Sequence, residues 1–328
     1  MRTNETALGL DVGTSRIVKA ERAGDEYKYS SELNAFVTIP FSKITAGVLE
    51  REGIPHSVDN GEIVVQGNES EKFADLMNAE IRRTMTSGVL DAREPESLNQ
   101  IGRLIESLVG KGKGTKLCFT VPAAPLGHEK NLTYHEATLK QVLGDLGYQA
   151  KAINEGQAVV YGELESTNFT GIGISCGGGL CNVCVSYLSV PVMSFSVPKA
   201  GDYIDNSAAS ITGERANRIR IEKEQSFHFN GHYADKVHQV INVYYDDMIR
   251  TLVTGLREAF ANSRNLPKMN RPVPVVLSGG TALPKGFRDR FESILREQTF
   301  PVQISEIRMA ANPLHSTAKG ALIAALSD

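Results

Sequence analysis

A carboxylate followed by a turn of small residues stands near the start of the chain. In the stretch ALGLDVGTSRIVKA, Asp11 lies at the end of an apolar run, and Gly13, Thr14 and Ser15 make the turn. A turn without bulky side chains lets backbone N–H groups approach an anion closely, and phosphate is the usual anion at such turns. A carboxylate beside bound phosphates can hold magnesium, usually through water molecules. The stretch therefore predicts one half of a site for phosphate and a metal ion.

Glycine turns recur farther along the chain. A second turn covers residues 177–179, a third holds Gly279 and Gly280, and Gly201 opens the segment GDYID. One such turn is weak evidence, because most glycine hairpins are only hairpins. Their spacing over two similar halves of the chain strengthens it. We expect two of the turns to clamp a polyphosphate from opposite sides while the third supports a nucleoside.

Apolar periodicity predicts alternating strands and helices. Residues 7–33 predict a three-stranded meander, and the same order of strand, glycine turn and two strands returns over residues 171–201. Amphipathic helices are predicted over residues 97–110, 134–147 and 233–260, with a further helix-like piece at 70–85. The pattern predicts an α/β protein with two similar halves, and a cleft between similar domains is a common place for a ligand.

Composition excludes several classes of protein. The formal net charge of −3 gives no basic surface, so nucleic acid is not expected as a partner. No stretch approaches the roughly 20 apolar residues that span a bilayer. Cys181 and Cys184 are three residues apart on a predicted strand and would face opposite sides, and no second cysteine pair or nearby histidine completes four ligands. A zinc site is therefore not expected.

Five segments together resemble the actin superfamily of ATPases, which includes heat-shock chaperone ATPases, sugar kinases and bacterial actins. LGLDVGTS resembles its first phosphate loop, GISCGGGLCNV its second, and VVLSGGTALPKGF its adenosine loop. INEGQAVVYG and NPLHSTAKGAL resemble its two connecting helices. The resemblance covers essentially the whole chain. It implies an actin-like ATPase fold, with two RNase H-like domains that flank a nucleotide cleft, and it implies ATP or ADP with Mg²⁺ as cofactors.

Within this superfamily the chain resembles bacterial actins of the MreB type, with the magnetosome actin MamK next. SGVLD, KAGDYID and GERANRIRIEKE resemble segments of that branch. The resemblance implies domain I over residues 1–150 and 312–328, with a small inserted subdomain at about 31–90. It implies domain II over residues 151–311, with an insert at about 210–255.

The resemblance also implies the residues of the site. Asp11 would hold the metal ion, and Glu155 would orient or activate the attacking water, although an acid there could also simply cap a helix. For Asn217 and Arg220, a solvated helix face remains an open alternative to nucleotide contact. The residues implied to contact the nucleotide are Gly13, Thr14, Ser15, Arg16, Gly177, Gly178, Gly179, Gly201, Asp202, Asn217, Arg220, Gly279, Gly280 and Thr281.

The chain departs from the family pattern at several of these positions. Ser175 stands where the family has an aspartate that orders metal-bound and attacking waters, and Leu180 stands where it has a threonine. Gly156 replaces a proline, and Asn217 replaces a glutamate. A neutral Ser175 cannot organise the metal ion's water shell as a carboxylate does, and such losses commonly cost about 10–100-fold. We expect phosphate binding to outlast catalysis and any ATP hydrolysis to be slow.

Two functions stay open at this stage. The resemblance implies a cytoplasmic filament protein that polymerises with itself head to tail and serves cell shape or intracellular organisation. The alternative is an adaptor of the cell-division or pilus-assembly type that binds ATP with little hydrolysis, which Ser175 favours. Membrane-associated proteins are further partners to consider, although the segment MRTNETALG is too short and polar for an amphipathic anchor.

Overall fold

The computed structural model describes residues 7–126, 132–233, 235–263, 267, 269 and 271–327. Within these residues the chain forms sixteen strands and ten α-helices, numbered in chain order. The strands are β1 Ala7–Val12, β2 Arg16–Ala23, β3 Glu26–Leu33, β4 Ala35–Pro40, β5 His56–Asp59, β6 Glu62–Gln66, β7 Arg82–Arg83, β8 Met85–Thr86, β9 Val89–Leu90, β10 Lys116–Val121, β11 Gln149–Asn154, β12 Gly171–Cys176, β13 Cys181–Tyr187, β14 Val190–Val197, β15 Val273–Ser278 and β16 Ile304–Met309. The helices are α1 Lys43–Arg51, α2 Glu69–Met77, α3 Ser97–Val109, α4 Thr133–Asp145, α5 Glu155–Glu163, α6 Gly201–Thr212, α7 Ala216–Gln225, α8 Lys236–Asn262, α9 Phe287–Arg296 and α10 Ser316–Ser327.

The first main sheet has the strand order β11-β10-β1-β2-β3. Strands β1, β2 and β3 form the predicted antiparallel meander, and β10 and β11 join β1 in parallel. Parallel strands need a crossover connection, and α4 supplies it between β10 and β11. Alternating side chains of this sheet enter two cores: Leu10 and Ile17 pack with α3 and α4, and Val18 and Ala20 pack with α10.

The second main sheet repeats the order of the first. Its strands lie in the order β14-β13-β12-β15-β16, an antiparallel meander followed by two parallel strands. Helices α6, α8 and α9 bury their apolar faces against it, and Tyr245 and Phe287 are among the large side chains fully buried in that core. The repeated order confirms the predicted α/β fold with two similar halves.

A small unit with its own core lies between β3 and α3 in the chain. Its sheet has the order β5-β6-β4-β7, and α1 and α2 pack on it. The buried residues of its core are all apolar: Val37, Ile39, Leu49, Ile63, Val65 and Ala74. We refer to residues 35–90, which also include the β8–β9 hairpin, as the small unit.

Two features of the chain differ from the sequence prediction. The helix-like piece at 70–85 is wrong beyond Met77, because Asn78 adopts a left-handed conformation (φ 48°) that ends α2, and β7 and β8 follow. The sheet of the small unit and β16 were not predicted. In β16 only Ile307 is buried, so this edge strand carries almost no apolar alternation to detect.

Helices α5 and α10 pack against each other with their backbones in contact. A Cβ added to Gly320 would lie 1.7 Å from the carbonyl oxygen of Ala158, and one added to Gly162 would lie 2.6 Å from that of Ser316. Only glycine permits such an approach. Because α5 follows the last strand of the first sheet and precedes the first strand of the second, this contact lies where the chain passes from one sheet to the other.

None of the helices in the described part of the chain is long and apolar enough to cross a membrane. Residues 1–6, which form most of the segment considered for an amphipathic anchor, lie outside the described residues. The domain boundaries expected from the resemblance stay a prediction.

Candidate functional site

A cleft of about 910 Å³ is lined by residues from both main sheets and from α6 and α7. Of the residues implied by the resemblance, all but one line it. They are Asp11, Gly13, Thr14, Ser15, Arg16, Glu155, Gly177, Gly178, Gly179, Gly201, Asp202, Arg220, Gly279, Gly280 and Thr281. Asn217 is exposed and outside the lining, and its side-chain oxygen accepts a hydrogen bond from Arg220 (2.8 Å).

In the glycine turn between β12 and β13, two carbonyl groups accept hydrogen bonds from the start of α6 and from Thr281. The carbonyl of Gly177 accepts from the N–H of Gly201 (3.1 Å) and from the hydroxyl of Thr281 (2.7 Å). The carbonyl of Gly178 accepts from the N–H of Asp202 (2.8 Å). The N–H groups of Gly178 and Gly179 have no hydrogen-bond partner within the described residues, although Gly179 is buried. Buried N–H groups are rarely left without a partner, so this turn is built to receive an acceptor.

The carbonyl groups of the first glycine turn, between β1 and β2, also accept hydrogen bonds from other parts of the protein. The side-chain amide of Asn34 donates to the carbonyl of Gly13 (2.9 Å), and its backbone N–H donates to that of Ser15 (2.9 Å). The Gly13 N–H closes the turn on the Arg16 carbonyl (3.0 Å). Asn34 is fully buried and therefore fixes this turn from outside the cleft.

The two glycine turns lie directly against each other. A Cβ on Gly178 would lie 2.2 Å from the hydroxyl oxygen of Ser15, and one on Gly179 would lie 2.5 Å from that of Thr14. The second of these Cβ atoms would also lie 2.5 Å from the backbone nitrogen of Gly88, in the β8–β9 turn. The absence of side chains at 178 and 179 is thus what lets three chain segments meet at this point.

Two carboxylates, the half-buried Asp11 and the buried Glu155, share the same end of the cleft. The hydroxyl of Thr120 donates to Asp11 (2.7 Å), and that of Ser175 donates to Glu155 (3.3 Å). Burial raises the pKa of Asp11 to about 6, which the Thr120 hydrogen bond partly offsets. Burial, with repulsion from Asp11, raises the pKa of Glu155 to about 8. Within the described residues neither acid has a basic partner, and a bound cation would stabilise their ionised forms.

Local structure explains where Glu155 sits and two of the sequence departures. The Asn154 side chain accepts from the N–H of Gly156 (2.9 Å) and so caps α5, which begins at Glu155. A Cβ on Gly156 would lie 2.6 Å from the backbone nitrogen of Cys184, so glycine allows α5 to pack against β13. The hydroxyl of Ser175 fills the aspartate position of the family with a neutral donor to Glu155.

Sequence reasoning missed a buried cation in the cleft wall. The ammonium group of Lys223 lies 2.7 Å from the Asp205 carboxylate and donates to the Gly201 carbonyl (3.2 Å). The side chains of Lys223 and Asp205 are 5% and 7% exposed, and both residues line the cleft. The pair joins α7 to the start of α6. The available signal was the spacing of three from Arg220, which places both cations on one helix face.

Comparison with known proteins agrees with this geometry. The model of the Volactin family matches residues 6–325. No curated protein sequence matches the chain. Among solved structures, the chain is similar to a MamK double helical filament (20% identity, TM-score 0.70, covering 98% of this chain and 99% of that one). It is also similar to MreB5 of Spiroplasma citri bound to AMPPNP (14%, 0.68, 97% and 95%) and to the ethanolamine utilization protein EutJ from Carboxydothermus hydrogenoformans (17%, 0.56, 98% and 90%).

These similarities extend over nearly the whole chain and confirm the actin-like fold that the sequence resemblance implied. The Volactin family model spans 320 residues of this chain, from 6 to 325. The protein therefore belongs to the Volactin family, and it has the fold of the MreB and MamK actins.

Proposed function

We propose that this protein is an actin-like cytoskeletal protein that binds ATP or ADP in the cleft and assembles with itself into filaments. The observation that carries the nucleotide part is the pair of unpartnered N–H groups at Gly178 and Gly179, opposite the first glycine turn. Such N–H groups suit phosphate oxygens. MreB5 structures of the same fold are bound to ADP and to AMPPNP, which supports the nucleotide class.

The acidic end of the cleft fits magnesium carried by the nucleotide. In the described part of the chain no group of three or more metal-binding side chains comes together, so the protein offers no all-protein metal cage. Magnesium is commonly held by one or two carboxylates together with substrate phosphates and water. Asp11 would hold it, usually through water, and its charge would favour ionisation of both Asp11 and Glu155.

Glu155 is the candidate for orienting the attacking water. A carboxylate near a terminal phosphate can position water and accept its proton. The Ser175 hydroxyl holds Glu155 in place but brings no negative charge of its own. Hydrolysis is therefore expected to be slow, and the protein to stay in its nucleotide-bound form for long periods.

Self-assembly is the second part of the proposal. A MamK structure of this fold is a double helical filament, which supports a head-to-tail polymer of this chain. A heterologous contact that does not close generates an open filament. The expected location is the cytoplasm, in the service of cell shape or intracellular organisation, and membrane-associated proteins would be its further partners.

The alternative is an adaptor that binds ATP without polymerising. Ser175 favours it, because loss of the second-loop carboxylate weakens the hydrolysis that would drive filament turnover. The two functions differ in one observable: the filament protein pellets in the presence of magnesium ATP, and the adaptor stays in solution.

Calorimetric titration with magnesium ATP tests the binding part. The wild type should bind with a dissociation constant in the micromolar range, and Gly179→Ala should weaken binding at least about tenfold, since its Cβ would displace Thr14 and Gly88. Gly144→Ala is the matched control, because a Cβ there meets nothing within 4 Å. Equal affinity of Gly179→Ala and wild type would refute the assigned site.

Sedimentation of the same samples tests the assembly part. Pelleting that requires magnesium ATP supports the filament, whereas an ATP-bound protein that stays in the supernatant at all concentrations supports the adaptor. Phosphate release, followed in parallel, should be slow. A rate equal to that of bacterial actins with an intact second loop would contradict the role given to Ser175.

A further inference from the structure

Two ion pairs bridge the cleft between segments far apart in the chain. Arg83 in β7 pairs with Asp202 at the start of α6 (2.7 Å), and Glu71 in α2 pairs with Arg220 in α7. Both partners on the α6–α7 side line the cleft, while Glu71 and Arg83 belong to the small unit. The two pairs therefore join the small unit to the cleft wall that α6 and α7 form.

The β8–β9 turn lies beside these ion pairs and covers the second glycine turn. Ser87 and Gly88 both have positive φ values (47° and 80°), as a tight two-residue hairpin requires. A Cβ on Gly88 would lie 2.3 Å from a methyl carbon of Leu180. The small unit thus contacts the opposite wall at three places: Glu71, Arg83 and the turn at 87–88.

The environment of the ion pairs places their strength between that of surface and buried pairs. The side chains of Arg83 and Asp202 are 25% and 29% exposed, and those of Arg220 and Glu71 are 10% and 37% exposed. Pairs that water reaches from one side hold two elements together but break readily, and salt weakens them. They suit a contact that must open and close.

We propose that the Glu71–Arg220 and Arg83–Asp202 pairs form a clasp that retains the nucleotide, so that its release requires the small unit to separate from α6 and α7. The clasp rests on the proposed function for its ligand but not for its existence as a contact. It makes nucleotide release dependent on ionic strength. Glu71 and Arg83, which lie outside the phosphate turns, therefore help to determine the rate at which the nucleotide dissociates.

Release of a bound fluorescent ATP analogue, chased with excess ATP in magnesium, measures this directly. Glu71→Gln and Arg83→Gln should each release the analogue about 3–10-fold faster than wild type at low salt. The double variant should be faster still and should lose most of the acceleration that 0.5 M NaCl produces in wild type.

Matched controls lie in the same part of the chain. Glu69→Gln removes an acid from α2 that pairs with Lys72 on the same helix, and Arg93→Gln removes an exposed arginine that pairs with Asp91. Neither crosses the cleft, so both should release the analogue within twofold of wild type. Release rates of Glu71→Gln and Arg83→Gln that match these controls would overturn the clasp.

Hydrogen exchange separates failure of the clasp from failure of the proposed function. Should wild type bind no nucleotide, the proposed function falls, and the clasp is then judged on the nucleotide-free protein. Faster exchange in residues 85–90 and 177–180 of the Glu71→Gln/Arg83→Gln double variant would support it. Exchange in both segments equal to that of wild type would overturn it.

Discussion

The two sides of the cleft are held together by different kinds of contact. On one side, the segment after β10 is bonded to the second sheet by buried neutral groups: the Ala123 N–H donates to the Asn182 side chain (2.9 Å), and the Ser196 hydroxyl donates to the Ala123 carbonyl (2.8 Å). On the other side, the clasp pairs Glu71 with Arg220 and Arg83 with Asp202, with water within reach.

This difference indicates which contacts stay fixed and which can separate when the cleft opens. Asn182 and Ser196 are fully buried, so breaking their bonds would leave polar groups without partners. The charged groups of the clasp gain hydration when they separate, which offsets most of the lost attraction. We infer that the first region, which we call the hinge side and which also contains the α5–α10 contact, stays intact while the clasp opens.

The largest effect is expected from breaking the α5–α10 contact. Gly320→Ala would place a Cβ 1.7 Å from the Ala158 carbonyl oxygen, and neither backbone can move without shifting its sheet. We expect a loss of roughly 4 kcal/mol or more in the free energy of unfolding, measured by thermal or urea unfolding. Gly144→Ala, with open space around its Cβ, should stay within about 1 kcal/mol of wild type. Equal stability of the two variants would contradict a rigid hinge side.

A smaller effect on the free energy of unfolding is expected from pH, because Glu155, at the start of α5 on the hinge side, has a raised pKa. Its pKa is raised from 4.5 to about 8, so between these values the folded chain holds a proton that the unfolded chain has released. Stability of the nucleotide-free protein should therefore be highest near pH 5 and fall as pH rises toward 8, by on the order of 2–4 kcal/mol. Asp11, raised from 3.8 to about 6, adds to the fall at the lower end.

Glu155→Gln should flatten this profile, since a neutral amide replaces the titrating acid. Thermal midpoints at several pH values would show it, with the exposed Glu165→Gln as a control that keeps the wild-type slope. A wild-type midpoint that does not change between pH 5 and 8 would contradict the raised pKa of Glu155.

The smallest effects come from a direct comparison of single bonds on the two sides. Ser196→Ala removes one buried hydrogen bond and should cost about 1–2 kcal/mol in the free energy of unfolding. Glu71→Gln removes one clasp pair and should cost less than about 1 kcal/mol. Thermal unfolding of both proteins decides the order, and a larger loss in the clasp variant would reverse our assignment of fixed and movable sides.

Local sequence was enough for the two meanders and the glycine turns. Short apolar runs in ALGLDV and GIGISC, each followed by glycine, predict strands and turns from neighbouring residues alone. The strands of the small unit were missed because they are short and their partners can lie far away in the chain, as Ala35 of β4 pairs with Arg83 of β7. The end of α2 at Met77 depended on one left-handed residue, Asn78, which no periodicity reveals.

The candidate site divides in the same way. Residues within a motif, such as Asp11 and the glycines at 177–179, could be named from the sequence because their chemistry depends on their immediate neighbours. The role of Lys223 was missed, because its partner Asp205 comes from another helix and the spacing from Arg220 does not reveal that pairing. Asn34 was equally hidden, since its role is to hold a turn twenty residues earlier in the chain.

By itself the sequence determined which segments form turns with exposed N–H groups and which acids accompany them, since these follow from the order of small and apolar residues along a few positions. Only the tertiary structure decided that two such turns touch, that Asp11 and Glu155 share one end of the cleft, and that Glu71 and Arg83 pair with residues of its α6–α7 wall. The physical reason is that burial and charge pairing depend on distance in space. Arg83 and Asp202 are 119 positions apart in the chain, and Glu71 and Arg220 are 149 positions apart, so no local pattern indicates that they pair.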